Sequence, residues 1–398
     1  MDQAPHIGAR IRALREQAGL QSQQLAEKLG LDPSAMSNIE RGRRAVKTEE
    51  LAAIAEALGV SPLAILSDDS LLARLPIAPR AEAPVKADGA AIARLTALAE
   101  LHQLLSEEGI PAEPKLEGIP RVDTVRWLSS ASELAEWATE HLALSAEPAD
   151  RFSALAEGIE KQLGVDVLVE DHSQEGIFGA SITDRSFPFI LVNRDQALTR
   201  ALFTLAHELG HVLSGWGDIL TLDTDLSARN NNERVANAFA ASLLMPTGRV
   251  EALLNDHGGV SVPALAAMVS EFGVSFESLV YRLHNLGYIN AHGRDQLRLR
   301  GWTGVLRDLD NDQKRRALLD SLGREPERRA PGLLTLRAWR GYQDGVLSVR
   351  PLASLLGIDA DTLLARLVRE QDSLDVLNES YTPEAEAEDE ERYSGSPV

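Results

Sequence analysis

The chain has 398 residues, of which 44% are hydrophobic, so it is long enough for two or three globular domains. It contains no cysteine, which excludes disulfides and thiolate-held zinc or iron–sulfur sites, so any metal must be bound by histidine and carboxylate. No apolar run approaches the roughly 18 residues of a membrane helix, and the first residues lack an apolar signal core. We therefore expect a cytoplasmic protein with no membrane contact.

The formal net charge of −20 is unevenly distributed along the chain. Residues 1–66 contain eight basic and eight acidic residues, so residues 67–398 carry the whole −20. Half of the basic residues in that first segment lie in the window 38–47. This distribution disfavours nonspecific nucleic-acid binding by the body of the protein, but it permits a local phosphate-contacting patch near the N-terminus.

The first 66 residues have the pattern of five short helices. Ile7, Ile11 and Leu14 recur at helical spacing, and Asp32 followed by Pro33 is a typical helix start. A short turn at 30–32 would join the second helix to the third, which is the spacing of a helix-turn-helix motif.

The segment from IGARIRALREQAGL through NIERGRRAVK to EALGVSP resembles the lambda-repressor/Cro-like (XRE) helix-turn-helix family along its whole length. The resemblance implies binding of a double-stranded DNA operator, with the third helix in the major groove. It implies base-edge contacts from four residues of that helix: Ser34, Ala35, Ser37 and Asn38. It also implies phosphate contacts from Arg41, Arg43, Arg44 and Lys47, and a phosphate or base contact from Gln23. Because one such domain binds weakly, we expect a homodimer on a two-fold operator; the alternative is a motif used only for protein contact.

Residues 67–124 are interpreted as a linker with a helix at 91–108. Beyond it the pattern becomes α+β, with strands predicted at 165–170, 187–193 and, more weakly, 177–182. Helices are predicted at 124–142, 151–163, 196–214, 231–244, 261–287, 312–323, 335–345, 350–356 and 360–371. The expected fold class is multidomain and mainly α: a five-helix N-terminal domain, an α+β domain with a small sheet, and a helical C-terminal region.

A candidate metal site lies in the helix predicted at 196–214, where residues 207–211 read His-Glu-Leu-Gly-His. Residues four apart lie on one helix face, so His207 and His211 can bind one ion. Glu208 lies beside that face, where it can take a proton from a water whose pKa zinc lowers towards neutrality. The rest of the helix is apolar, and a metal would offset the cost of burying these groups.

A third ligand is available from the alanine-rich helix predicted at 231–244. Glu233 and Asn237 share one face of it, and small residues at 236, 238, 240 and 241 would let it approach the first helix closely. Two histidines and one glutamate with a fourth position open is the catalytic arrangement of zinc. The alternative is a solvated first-turn acid favoured by the helix dipole, and spacing alone leaves both open.

FTLAHELGHVL followed by ERVANAFAASLLMP strongly resembles the ImmA/IrrE family of metallopeptidases, and the resemblance spans roughly residues 125–295. It implies a zincin-like fold in which His207, His211 and Glu233 bind one Zn²⁺ and Glu208 is the general base. Asn237 matches a frequent polar position and is given a supporting role behind the ligands. Mn²⁺ and Fe²⁺ are also compatible with this donor set. We further hypothesise that strand 187–193 is an edge strand that pairs with an extended substrate, the alternative being a core strand.

Members of the resembled family cleave helix-turn-helix repressors, typically to induce a stress or mobile-element response. The resemblance therefore implies a DNA-binding regulator with a zinc endopeptidase domain that cleaves a repressor or itself. One alternative is a sensor whose zinc domain binds a ligand without proteolysis, and another is an antitoxin-like or defence-associated DNA binder. Residues 296–380 predict a helical region of unassigned role, and 381–398 an acidic disordered tail. A loose echo between 260–283 and 347–368 is interpreted as two ordinary helical hairpins.

Overall fold

The computed structural model describes residues 4–17, 20–58, 65, 90–123, 125–142, 151–173, 176–215, 220–223, 231–309, 312, 316, 318 and 324–369. The chain divides into two compact units, residues 1–337 and 338–398. The structure is mainly helical with one small mixed sheet, which confirms the expected fold class. Four predicted features lie wholly or mostly outside the described residues: the linker before residue 90, the fifth N-terminal helix, most of 312–323 and the tail from 381.

The N-terminal domain begins with four helices: α1 (Ala4–Gln17), α2 (Ser22–Lys28), α3 (Pro33–Glu40) and α4 (Thr48–Leu58). Asp32 and Pro33 occupy the N-cap and the first position of α3, as predicted from the sequence. The apolar faces of the four helices form one buried core, which includes Ile11, Leu14, Leu25, Met36, Ile39 and Ile54.

Arg15 connects α1 both to α3 and to the turn before α2. Arg15 Nε donates to Glu40 Oε1 at 2.6 Å, and Arg15 Nη1 donates to the carbonyl of Leu20 at 2.6 Å in the turn before α2. Gly8 permits the close approach, because a Cβ at this position would lie 2.1 Å from the carbonyl oxygen of Ile39. The Arg15–Glu40 contact and the close approach at Gly8 pack α3 directly against α1.

The central region contains a four-stranded sheet with strand order β1-β3-β2-β4. The strands are β1 (Asp166–Glu170), β2 (Gly179–Ile182), β3 (Phe189–Asn193) and β4 (Leu220–Asp223). β3 pairs parallel with β1 and antiparallel with β2, and β2 pairs antiparallel with β4. The three predicted strands are confirmed, whereas β4 was not predicted.

The hypothesis that strand 187–193 is an edge strand is wrong. β3 lies between β1 and β2, and all five of its residues are buried. The physical reason is visible in its sequence, FILVN, since a continuous apolar run suits a strand covered on both faces. β4 is the terminal strand on the β2 side of the sheet among the described residues.

Helices cover both faces of this sheet. They are α5 (Ala90–Glu107), α6 (Trp127–His141), α7 (Arg151–Gly158) continued by a π-helical turn (Ile159–Leu163), α8 (Leu198–Ser214) and α9 (Asn231–Leu244). α8 packs on β2 and β3, and α9 packs between α8 and α6. On the opposite face, His102 of α5 stacks on Phe187 with ring centroids 4.3 Å apart.

Four further helices follow: α10 (Thr247–Asp256), α11 (Val262–Phe272), α12 (Phe276–Asn285) and α13 (Ala291–Leu306). Buried Arg282 of α12 donates to the Met245 carbonyl at 3.1 Å and to Ser242 Oγ at 3.1 Å, which ties α12 to the end of α9. No single described helix has the length and apolarity to cross a membrane, and only the pair α11–α12, bent by 109°, meets that test jointly by length and composition.

The last helices are α14 (Gly332–Gln343), α15 (Val349–Leu356) and α16 (360–369). The segment before α14 is fastened to the outer side of β1, where Arg329 and Val169 form a β-bridge. Two buried carboxylates accept the first amides of α14. Glu160 Oε1 accepts from Gly332 N at 2.7 Å, and Asp166 Oδ1 accepts from Leu334 N at 3.0 Å. The first amides of a helix have no partner within the helix, so these hydrogen bonds stabilise the start of α14.

Burial and the neighbouring Glu160 raise the pKa of Asp166 to about 7, against the opposing effect of the backbone amides. Between about pH 4 and pH 7 the unfolded carboxyl ionises while the folded one keeps its proton, so stability falls as pH rises through this window. We expect Asp166→Asn, which mimics the neutral acid, to lose this pH dependence, a difference on the order of a few kcal/mol. Denaturant unfolding from pH 5 to 8 measures it, with Asp344→Asn at an exposed position as the control. An equal slope in the Asp166→Asn and wild-type profiles would contradict the assignment.

Candidate metal centre

α8 places the three polar residues of the His-Glu-Leu-Gly-His motif in the interior of the central region. His207 and Glu208 are fully buried and His211 is 2% exposed. The helix ends at Gly215, which adopts the left-handed conformation with φ of 61°. The rest of its buried face is apolar, including Leu205, Leu209 and Val212.

Glu233, in the first turn of α9, reaches both histidines. Its Oε2 lies 3.2 Å from His207 Nε2 and its Oε1 lies 3.4 Å from His211 Nε2, while the two Nε2 atoms are 3.0 Å apart. With zinc–ligand bonds of about 2.0–2.1 Å, the edges of a coordination tetrahedron are about 3.3 Å long. Each of the three distances is close to such an edge, and one ligand atom from each residue lies within 4.8 Å of the other two, so the two imidazoles and the carboxylate can bind one ion. The alternative of a solvated Glu233 is excluded, since this residue is 7% exposed.

The close approach of α9 to α8 depends on small residues. A Cβ built on Gly210 would lie 3.1 Å from Ala236 Cα and 3.0 Å from Phe239 Cδ1. Ala236 and Ala240 are buried, as the spacing of small residues in α9 predicted. Since Ala236 is one turn beyond Glu233, this contact sets the distance from the Glu233 carboxylate to the imidazoles.

The charge state of Glu233 suits a metal ligand. Burial alone would raise its pKa, but hydrogen bonds from His207 and His211, with their charges, lower the pKa of Glu233 to about 2. The carboxylate is therefore ionised at neutral pH. A buried anion beside two imidazoles attracts a cation, and two histidines with one carboxylate form a donor set that zinc prefers. Among the described residues these three form the only such cluster of possible metal ligands.

The Glu208 carboxylate lies against Gly179 of β2. A Cβ on Gly179 would lie 2.6 Å from Glu208 Oε1 and 2.6 Å from Thr204 Cγ2. The glycine thus provides the space in which the Glu208 carboxylate sits. Gly179 was not predicted from the sequence, although a glycine inside a strand indicates the close approach of another group.

A second group missed from the sequence holds the loop before α8. Gln196 donates from Nε2 to the carbonyls of Asn193 at 2.7 Å and Phe178 at 3.0 Å, and it accepts from the hydroxyl of Thr204 at 3.2 Å. These bonds connect β2, β3 and α8. A buried polar residue in an otherwise apolar helix, here Thr204, was the available signal. Asn237 is half-buried one turn beyond Glu233, and its supporting role stays a prediction.

The predicted DNA-contacting residues are exposed or half-buried, on α2, on α3 and in the segment after α3. Gln23 and Ser34 are exposed, and Ala35, Ser37 and Asn38 are half-buried on α3. Of the basic residues beyond α3, Arg41, Arg43 and Lys47 are exposed. Arg44 differs, because its Nη2 lies 2.5 Å from Glu50 Oε1. That ion pair partly neutralises Arg44, and the roles of all nine residues in DNA contact remain predictions.

Comparisons with known proteins agree with both halves of this description. Residues 6–65 match a family model described as a helix-turn-helix domain, and residues 160–284 match the IrrE N-terminal-like domain of the Peptidase_M78 family. Over 66 residues the chain is 39% identical to the immunity repressor protein of Bacillus phage phi105. That match covers 17% of this chain and 46% of the repressor, so it spans less than half of that relative.

Two solved structures show a distant likeness. The structure of PlcR from Bacillus thuringiensis with the peptide PapR7 and DNA is 12% identical, with 86% of this chain and 99% of PlcR covered and a TM-score of 0.17. The apo competence regulator ComR of Streptococcus vestibularis is 12% identical, with 80% and 99% covered and a TM-score of 0.16. These scores are too low to inform on the fold.

The chain thus combines a DNA-binding type of domain with a metallopeptidase-like one. Its N-terminus is a helix-turn-helix domain, and its central region carries an IrrE N-terminal-like domain of the Peptidase_M78 family. This confirms the resemblances to both families that the sequence showed.

We expect Gly210→Ala to weaken metal binding by about tenfold or more, because the added methyl would force α9 and its Glu233 away from the imidazoles. Competition with a chelator of known affinity measures the change. Gly248→Ala, at a helical glycine with open space around it, is the matched control and should bind as wild type. Equal affinity of the two variants would show that the seam between α8 and α9 does not set the ligand geometry.

Proposed function

We propose that this protein is a DNA-binding regulator whose central domain is a zinc-dependent endopeptidase. The observation that carries the proposal is the convergence of His207, His211 and Glu233 within 4.8 Å of one another, with Glu208 buried on the same helix. The match of residues 160–284 to a peptidase family supports it. The helix-turn-helix domain and its likeness to a phage immunity repressor support the regulatory half.

Each residue of the site has a distinct part in the proposed reaction. His207, His211 and Glu233 would hold the ion, which would supply a Lewis acid and lower the pKa of a water molecule. Glu208 takes the proton of the attacking water on its carboxylate and passes it to the nitrogen of the departing amine. The contact with Gly179 orients that carboxylate and excludes bulk solvent from one side of it.

The terminal strand β4 is the proposed docking edge for the substrate. An extended peptide can add to an exposed sheet edge through backbone hydrogen bonds. β4 pairs with β2, and its Asp223 lies opposite Gly179, the residue in contact with Glu208. The outer side of β1 is closed by its bridge to Arg329, so β4 is the remaining edge among the described strands.

The proposed substrate is a helix-turn-helix repressor, or the N-terminal domain of this chain itself. The resemblance to the ImmA/IrrE family supports this class, because its members cleave such repressors. The 39% identity to an immunity repressor shows that residues of this chain are themselves related to a repressor. An N-terminal DNA-binding domain would bring the peptidase to operators where repressors are bound.

Purified wild type and Glu208→Gln, each assayed with and without added zinc, test the proposal. We expect one equivalent of metal in both proteins. We expect only wild type to cleave this chain or helix-turn-helix repressors that are encoded nearby. Bound metal without cleavage by wild type would favour a ligand sensor and contradict the peptidase. Absence of metal in both would remove the zinc centre and leave only the DNA-binding domain.

We also expect Gly179→Ala to lower the cleavage rate at least tenfold while metal stays bound. Its added methyl would displace the Glu208 carboxylate without touching the three ligands. Single-turnover cleavage and metal content are measured side by side, again with Gly248→Ala as the control. Unchanged cleavage would show that the position of Glu208 does not depend on β2.

A further inference from the structure

The C-terminal helices repeat the helix-turn-helix of the N-terminal domain at a constant offset of 327 residues, from Leu20 to Leu347. Within the motif, six residues are identical without a gap. Leu20, Leu25, Ala26, Leu29, Gly30 and Asp32 recur as Leu347, Leu352, Ala353, Leu356, Gly357 and Asp359. The echo between 260–283 and 347–368 is looser, because it requires a gap of three residues in the turn.

The backbone repeats with the same offset. In the first motif the amides of Gly30 and Leu31 donate to the carbonyls of Glu27 and Ala26, at 3.2 and 2.9 Å. In the second motif the amides of Gly357 and Ile358 donate to the carbonyls of Ser354 and Ala353, at 3.3 and 3.0 Å.

The turn conformation is also the same. Gly30 and Gly357 have φ of 64° and 66°, the left-handed conformation that ends a helix. Asp32 and Asp359 both precede the next helix, and Met36 and Leu363 are both buried. Residues 347–369 therefore form a second helix-turn-helix, made of α15 and α16.

The positions predicted to contact DNA in the first motif carry different residues in the second motif. The residues predicted to face bases, Ser34, Ala35, Ser37 and Asn38, correspond to Asp361, Thr362, Leu364 and Ala365, and Arg41 corresponds to Val368. In sequence, Arg43, Arg44 and Lys47 correspond to Glu370, Gln371 and Leu374. The scaffold is kept while the cationic cluster for phosphates is absent from the corresponding positions, which disfavours DNA as the partner of α16.

α16 instead presents an apolar face with a charge at each end. Leu364 is 41% exposed and Val368 is 50% exposed, one helical turn apart. Asp361 lies one turn before Leu364, and Arg369 lies at the other end, where its Nε donates to the carbonyl of Ala365 at 3.0 Å; both side chains are exposed. We name this set (Asp361, Leu364, Ala365, Val368 and Arg369) the α16 face.

We propose that the α16 face is the contact between two copies of this chain. If two α16 helices pack antiparallel about a two-fold axis near Ala365, Leu364 and Val368 of each copy cover the other. The same axis places Asp361 of one copy beside Arg369 of its partner, and the pair occurs twice. An isologous contact requires this self-complementarity, in which the same patch serves on both copies.

This inference deepens the proposed function, because it names the partner that a two-fold operator would require of the helix-turn-helix domain. It does not rest on the peptidase half. Self-association is measured without DNA, metal or substrate, so its failure and that of the proposed cleavage are separately visible.

Sedimentation velocity of the full chain over a range of concentrations tests the proposal. We expect a dimer for wild type and a shift of at least tenfold in the dissociation constant towards monomer for Leu364→Asp. Leu299→Asp on α13, where the leucine is 85% exposed outside the α16 face, should remain as wild type. A wild type that stays monomeric, or a Leu364→Asp dimer of unchanged affinity, would overturn the proposal.

Charge reversal tests the antiparallel arrangement. Asp361→Arg and Arg369→Asp should each weaken the dimer, and the double variant should restore it, because the pair is then re-formed with opposite polarity. Failure of the double variant to recover would overturn this packing.

DNA binding is measured with Arg350→Ala, at the position equivalent to Gln23, in a chain that also carries Arg41→Ala and Arg43→Ala. Residual DNA binding that Arg350→Ala removes would assign α15–α16 to DNA and overturn the proposal.

Discussion

The seam between α8 and α9 is the contact on which the metal centre depends. A glycine on one helix faces an alanine and a phenylalanine edge on the other, so the two backbones come close enough for one carboxylate to reach two imidazoles. Burial of these ionisable groups in an apolar core is costly unless they are compensated. The buried ionisable groups lie together in one place, and the apolar packing of α6, α8, α9 and the sheet around them stabilises the fold.

Most of the metal site could be predicted from the sequence, but less of the sheet could. His207, His211 and Glu208 follow from helical periodicity, which is local, and Glu233 follows from a second helix whose small residues allow contact. Gly179 and β4 were missed because strand pairing joins residues distant in sequence, and four residues of β4 carry little pattern of their own. The position of β3 inside the sheet could have been read from its unbroken apolar run.

The two ends of the chain show how one scaffold serves different chemistry. The turn glycine, the aspartate after it and the buried leucine and alanine define the fold of the motif, and they occur at both ends. The exposed side of the second helix in each motif is free to vary, since it takes no part in the core. Polar and basic residues occur on this side at the N-terminus, and Leu364 and Val368 at the C-terminus.

The fastening of α14 to Glu160 and Asp166 has a consequence for where the central domain can be divided. The family match ends at residue 284, yet both buried carboxylates accept hydrogen bonds from the amides of residues 332–334, and Glu160 accepts one more from the amide of Val167. A fragment that ends near residue 295 would keep both acids and lose the donors from residues 332–334, and it would leave the outer side of β1 open. Uncompensated carboxylates and an open strand edge both favour aggregation over folding. The peptidase-like region and the segment up to α14 are therefore one folding unit, although they are separate in sequence.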